Sequence, residues 1–214
     1  LEQLAGDELV DWRNAETFTP EIVELLTATG FLLCADDDTD QDELNTPDIR
    51  HHVLQQTGEI VANNLFALTV QCAKCHNHKY EAISQVDYYR WLANFSPVLN
   101  PQRWVTSTEH QIADDSKKDK EAIDRRNAQI EAEPAEDERE SQKRTYGTIQ
   151  AAVEQSPPSA TYLLRRGDVT KPGVEVQPAL FSVLAEPHAA GGFDSQPKGA
   201  TTGRRLTIAR QVKN

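Results

Sequence analysis

The chain has 214 residues, with 22 Lys+Arg against 34 Asp+Glu and a net charge of −12. That length holds one large domain or two small ones, and a pI near 4.9 excludes a general nucleic-acid binder, which needs a basic face. Hydrophobic residues are 38% of the chain and mean hydropathy is −0.62, so part of it is expected to be solvated, and no apolar run approaches the ~20 residues of a membrane-spanning helix.

Residues 1–34 read as helical, with Leu1, Leu4, Leu9 and Val10 loosely amphipathic. Thr19-Pro20 is a start signal, a hydroxyl cap followed by a ring that needs no amide partner, and Gly30 suits a left-handed stop. Between 35 and 45, six acidic residues crowd together without a base, so a solvated loop is expected. Asp36, Asp38 and Asp40 alternate like the start of a calcium loop, but Gln41 stands where that loop needs glycine.

Thr46-Pro47 repeats the start signal and predicts a helix from about Asp48 to Leu68. Its apolar stripe runs through Ile49, Val53, Ile60, Val61, Leu65 and Leu68, with His52 on the polar side and His51 at the border. Ser84 to Asp87 resembles a capping box and opens an aromatic helix with Tyr88, Tyr89, Trp91, Leu92 and Phe95, ended by Pro97. From about Ser107 to Gln155 the composition turns charged, which predicts an exposed helical arm or hairpin interrupted at Pro134. After Ser156-Pro157-Pro158 the pattern becomes strand-like at Thr161–Leu164, with a turn at Gly167-Asp168 and a second strand around Val174 and Val176. Residues 186–203 are rich in Gly, Pro and Ala and read as irregular.

The expected fold class is therefore mainly α. A helical domain over 1–100 is followed by a charged helical arm over 101–155 and a strand- and loop-rich segment over 156–214, the start of a second domain. There is no Met even at position 1, and Arg204 to Arg210 reads as a helix beginning; both predict a piece of a longer chain or larger assembly.

Cys72-Ala73-Lys74-Cys75-His76 is C-x-x-C-H, the attachment sequence of a c-type haem. Two thiols add across the two vinyl groups of the porphyrin, the two-residue spacer holds both sulfurs on one turn, and the adjacent imidazole gives Nε2 to iron as proximal ligand. The alternatives are a zinc site, in which Cys72, Cys75 and Cys34 join His76 or His78, and a dithiol redox pair. If haem is attached, Cys34 is left over and is expected buried beside Leu32 and Leu33. Methionine cannot be the sixth iron ligand, because the chain has none. The remaining candidates are His51, His52, His110 and His188, while His78, two residues past the proximal ligand, is placed to bond a propionate or brace the proximal side.

The run from Leu68 to Tyr89 resembles the planctomycete cytochrome c-like domain, with its C-x-x-C-H-x-H-K core at Cys72–Lys79 and its Asp-Tyr-Tyr at Asp87–Tyr89. Glu2–Asp7 and Ala28–Leu32 share the resemblance. Arg166–Asp168, Pro172-Gly173, Val176–Pro178 and Gly203–Arg210 are similar to the partner domain usually fused behind it. Asn77 departs from the usual acidic residue and Glu81-Ala82 from the usual Asp-Pro. The resemblance implies haem c (iron) held by Cys72, Cys75 and His76 with His78 in the motif, in a large exported, extracytoplasmic protein. It carries no assigned reaction.

The reading is a one-electron carrier that meets a redox partner protein or other haem modules, with no nucleic acid and no transmembrane segment. Two rivals stand beside it. One is a haem enzyme or ligand-binding module with an open sixth iron position, lined by Tyr80, Tyr88 or Tyr89 rather than packing them in the core. The other is a structural or assembly module in which the arm makes the contacts.

Overall fold

The computed structural model describes residues 1–114, 117–132, 143–145, 147–155, 157–184, 193, 195–197 and 199–213. Predicted features at Pro134 and His188, and half of 186–203, lie outside the described residues.

Helix α1 (Glu2–Leu9) breaks its dihedrals at Ala5 and packs on α2 (Pro20–Ala28), where Gly6 lies so close to the Leu25 carbonyl that no Cβ would fit. Residues 10–19 leave the helix, so the N-terminal region is two short helices rather than a continuous one. Thr19 caps α2 by accepting from the Ile22 amide at 3.3 Å. Gly30 is not the left-handed stop: α2 tightens directly into a 3₁₀ turn over Thr29–Leu33. In the acidic loop, Asp37 is bound on both oxygens, by the Thr39 amide and hydroxyl and by the Ser107 amide and hydroxyl. Burial alone would raise its pKa, but those four donors outweigh it and hold the carboxyl below its ordinary value. Among the described residues, no three His, Cys, Asp or Glu side chains converge as a metal site, so the calcium reading has no cage here.

Helix α3 (Pro47–Phe66) starts at the Thr46 cap and stops at Ala67, itself left-handed at φ 53°, with the Leu68 amide reaching back to the Ala62 carbonyl. Its buried face is centred on Leu54, Thr57, Gly58, Val61 and Ala62, rotated from the expected stripe so that Ile60 is only half-buried. The reason is α4 (Gln85–Leu92), which packs on Gly58. The Trp91 indole donates to the Gly58 carbonyl at 2.8 Å, and the Tyr88 hydroxyl to Glu59 at 2.8 Å. The Ser84–Asp87 capping box forms as predicted.

The arm is closed at its base by an unforeseen antiparallel ladder, β1 (Gln111–Ala113) with β2 (Thr148–Gln150), and contains α5 (Lys117–Ala132). Residue Ile149 of that ladder, with Ala151 and Val153, builds a second small core on Leu26 of α2. Strands β3 (Thr161–Leu164) and β4 (Pro172–Val176) form a bulged antiparallel hairpin, turning at Arg166 and Gly167, both with positive φ. The chain ends in α6 (Arg204–Lys213).

The main core runs through all the segments expected to be separate. Leu164, Val176, Phe181, Leu206 and Ile208 join Leu4, Leu54, Val61, Tyr88 and Trp91 in one cluster. Phe181 stacks on Trp91 at 4.8 Å. Residue Arg205 of α6 is fully buried and clamps Asp7 of α1 with two bonds of 2.9 and 2.8 Å, while its Nη1 also donates to the Leu4 carbonyl at 3.0 Å. Among the described residues the fold is thus mixed, with helices dominant and two small sheets, and Leu164, Val176, Phe181, Leu206 and Ile208 pack into the same body as α1–α4. Among the described residues no helix is long and apolar enough to cross a membrane.

Candidate functional site: an exposed thiol and imidazole turn

Beyond α3 the chain makes a 3₁₀ turn over Gln71–Lys74. Val70 and Ala73, both fully buried, pin it to the core, and that inward pull leaves Cys72 and Cys75 exposed on either side. The Lys74 carbonyl accepts from the Gln85 side chain at 2.9 Å and from the Tyr89 hydroxyl at 3.0 Å, which ties the turn to the first turns of α4. Asn77 accepts the Gln85 amide at 2.9 Å. An acceptor is all that this position requires, so Asn serves in place of the usual acid. Gly167, at φ +75°, lies on Cys75: a Cβ there would sit 3.1 Å from Sγ, so only glycine lets the hairpin turn close over the motif without strain.

The two histidines of the motif are held differently. In His76, Nδ1 meets the Asn77 carbonyl at 2.7 Å. A carbonyl only accepts, so Nδ1 carries the proton and the lone pair of the exposed ring lies on Nε2. His78 is the opposite tautomer. Its Nδ1 accepts the amides of Tyr80 and Glu81 at 3.2 and 2.8 Å, and its own amide donates to the Ile83 carbonyl at 2.9 Å. Its work is to close the 78–83 turn that delivers the chain to the Ser84 cap.

Tyr88 and Tyr89 are buried at the start of α4, edge to face at 5.2 Å. Burial pushes both phenol pKa values up; Glu59 adds to this at Tyr88, and nearby Cys75 at both. They are core residues and remain protonated. Tyr80 is exposed, with the Lys79 ammonium 5.2 Å from its ring.

Among the described residues the other predicted ligands form no metal-holding group of three or more with His76. His51 and His52 stand at the opposite end of α3, His51 about 22 Å along the axis from Phe66 by helical rise. The His51 Nδ1 donates to the Pro47 carbonyl at 2.8 Å, and His52 is exposed. His110 is fully buried at the foot of β1, where burial lowers its pKa. Cys34 is exposed rather than buried, because the 3₁₀ turn that follows α2 points it outward, its Sγ 3.8 Å from the Gly30 carbonyl. It does not join Cys72 and Cys75. No group of three or more His, Cys, Asp or Glu positioned to hold a metal forms among the described residues, so the four-ligand zinc cage has no counterpart in this geometry.

The donor set does fit a covalently attached haem. That group asks for two free thiols one turn apart and a single imidazole nitrogen, rather than four converging ligands. Cys72 and Cys75 are both thiols, and His76 offers Nε2. Sequence reasoning singled out these three residues from spacing alone. It missed the roles of Gly167, Asn77, Gln85 and Tyr89, whose only signals were a turn glycine and an aromatic run.

These features define a mixed, mainly helical scaffold presenting an exposed turn with two thiols and an imidazole. Residues 1–100, which contain that turn, match the family model PSCyt2, described as "Protein of unknown function (DUF1549)". The match falls on the part of the chain that resembles the planctomycete cytochrome c-like domain. No curated protein and no solved structure matches the chain.

Proposed function

We propose that Cys72 and Cys75 hold a haem c through thioether bonds, with His76 as proximal ligand, and that the protein transfers single electrons. The observation that carries the reading is the His76 tautomer beside two exposed thiols, with Nε2 left for iron and Nδ1–H held by a backbone carbonyl. Bound haem supplies one-electron exchange between ferric and ferrous iron. The chain's own residues fix the turn through Val70, Ala73, Gln85 and Tyr89, and shape its rim through Gly167. Lys74, Lys79, Arg165 and Arg166 border the motif in an otherwise acidic protein and suit the haem propionates. Thioether attachment takes place outside the cytoplasm, so the reading places the protein there, beside a redox partner protein or other haem modules in a longer chain.

A pyridine haemochrome spectrum on protein made in a host that attaches haem after export tests the proposal. The expected result is a c-type spectrum whose haem survives denaturing extraction and is lost in Cys72→Ala/Cys75→Ala. Stoichiometric zinc without covalent haem overturns it.

The state of the other histidines favours a variant of this reading with an exchangeable sixth iron ligand: His51 Nδ1 is committed to the Pro47 carbonyl, His52 is exposed and His110 is fully buried. Carbon monoxide then changes the ferrous spectrum readily, and His51→Ala and His52→Ala leave the spin state as it was. A spin-state change in either substitution restores the bis-histidine carrier.

A further inference from the structure

A cleft of about 250 Å³ opens between α3, the end of α4 and the β3–β4 hairpin. Leu54, Leu92, Leu164 and the Tyr89 ring form its apolar walls. No Asp, Glu, Lys or Arg lines it, although such residues are 26% of the chain.

One buried polar side chain in its wall is uncommitted. Gln55 is 3% exposed, yet its amide has no hydrogen-bond partner among the described residues. The buried hydroxyls of the cleft are used: Ser96 donates to the Ala93 carbonyl at 3.1 Å and Tyr89 to the Lys74 carbonyl at 3.0 Å. The amide atoms of Gln55 are not sealed in the core, so they are hydrogen-bonding groups open to the cleft. One turn earlier on the same face stands His51, which also lines the cleft. Its Nδ1–H is spent on Pro47, which leaves Nε2 as an acceptor.

We propose that this cleft binds a neutral, single-ring phenol. The apolar walls take the ring. The Gln55 amide donates to the hydroxyl oxygen, and the hydroxyl proton goes to the Gln55 carbonyl or His51 Nε2. A charged ligand would find no counter-ion. An apolar cavity of about 150 Å³ already holds a benzene ring, so the cleft accepts one ring with a few further atoms and not a fused system. The inference does not depend on haem: it stands on residues of α3, α4 and β3. It also gives His51 a role other than iron ligation.

The test is titration of the full chain with 4-methylphenol, toluene and 4-methylbenzoate, followed by NMR at the Gln55 side-chain amide and by calorimetry. The phenol is expected to saturate, to shift the Gln55 amide, and to bind roughly fivefold or more tighter than toluene, with 4-methylbenzoate weakest. In Gln55→Leu the preference for the phenol over toluene disappears. Ala160→Phe, at the exposed rim, blocks both ligands while leaving thermal stability unchanged, which guards against a folding defect in the first variant. Equal affinity for phenol and toluene in the natural chain, tightest binding of the benzoate, or an unchanged preference in Gln55→Leu overturns the proposal.

Discussion

Replacing Arg205 by Met tests what joins the two ends of the chain. The guanidinium is fully buried and faces three carboxylates: Asp7 at 2.8 Å, Glu8 at 3.3 Å and Glu154 at 4.0 Å. Methionine fills much of the same volume, so the loss is electrostatic rather than a cavity. It strands a cluster of buried carboxylates and the Leu4 carbonyl that Nη1 satisfied. Breaking a buried pair from one side costs about 3–5 kcal/mol, against a total stability on the order of 5–15 kcal/mol. For a chain of 214 residues, that corresponds to a melting point lower by roughly 6–20 °C. The loss depends on pH. Burial raises Glu8 to about 7, and Arg205 is the main influence holding it down. In Arg205→Met, Glu8 therefore takes up a proton more readily, and part of the stability returns between pH 8 and pH 5. Urea unfolding at both pH values reads both effects. Arg205→Lys, which keeps the charge without the fork, falls between the two. A loss under about 1 kcal/mol at pH 8, or an equal loss at both pH values, would show that the cluster is not held by this charge.

Three further outcomes are expected. Glu8→Gln removes a carboxyl whose folded pKa, about 7, lies above its ordinary 4.5. The stability this group supplies is present below pH 4.5 and lost as pH rises through 7, so the variant gains on the natural chain by roughly 2–3 kcal/mol at pH 8 and little at pH 4, as denaturant midpoints will show. Gly6→Ala drives a Cβ into the Leu25 backbone carbonyl and lowers stability by about 2 kcal/mol or more, measurable by thermal unfolding; a neutral result would mean that α1 and α2 can separate without cost. Gly167→Ala puts a methyl against Cys75 at a positive φ, and under the haem reading it lowers the yield of covalently attached haem while the far-ultraviolet spectrum of the helices is retained.

Local chemistry was legible wherever the signal lay within a few residues. Thr19-Pro20, Thr46-Pro47 and the Ser84–Asp87 box each place a donor or acceptor one turn from the amide they satisfy, so neighbours in sequence settle the helix starts. The thiol and imidazole turn was visible for the same reason: its spacing is its chemistry. The β3–β4 hairpin was visible from β-branched and aromatic residues around a turn.

What the tertiary structure alone decided are pairings across long stretches of chain. The face of α3 that is buried depends on where Trp91 finds the Gly58 carbonyl, 33 residues away. The burial of Arg205 depends on Asp7, 198 residues away, and no local pattern marks a basic residue in an acidic chain as part of the core. Cys34 turned outward because a 3₁₀ turn advances the chain by a different angle from the helix expected there. Periodicity reports which residues share a face, but the partner across the interface sets which face is inside. The place of His51 and of the Gln55 amide at the cleft follows from that packing.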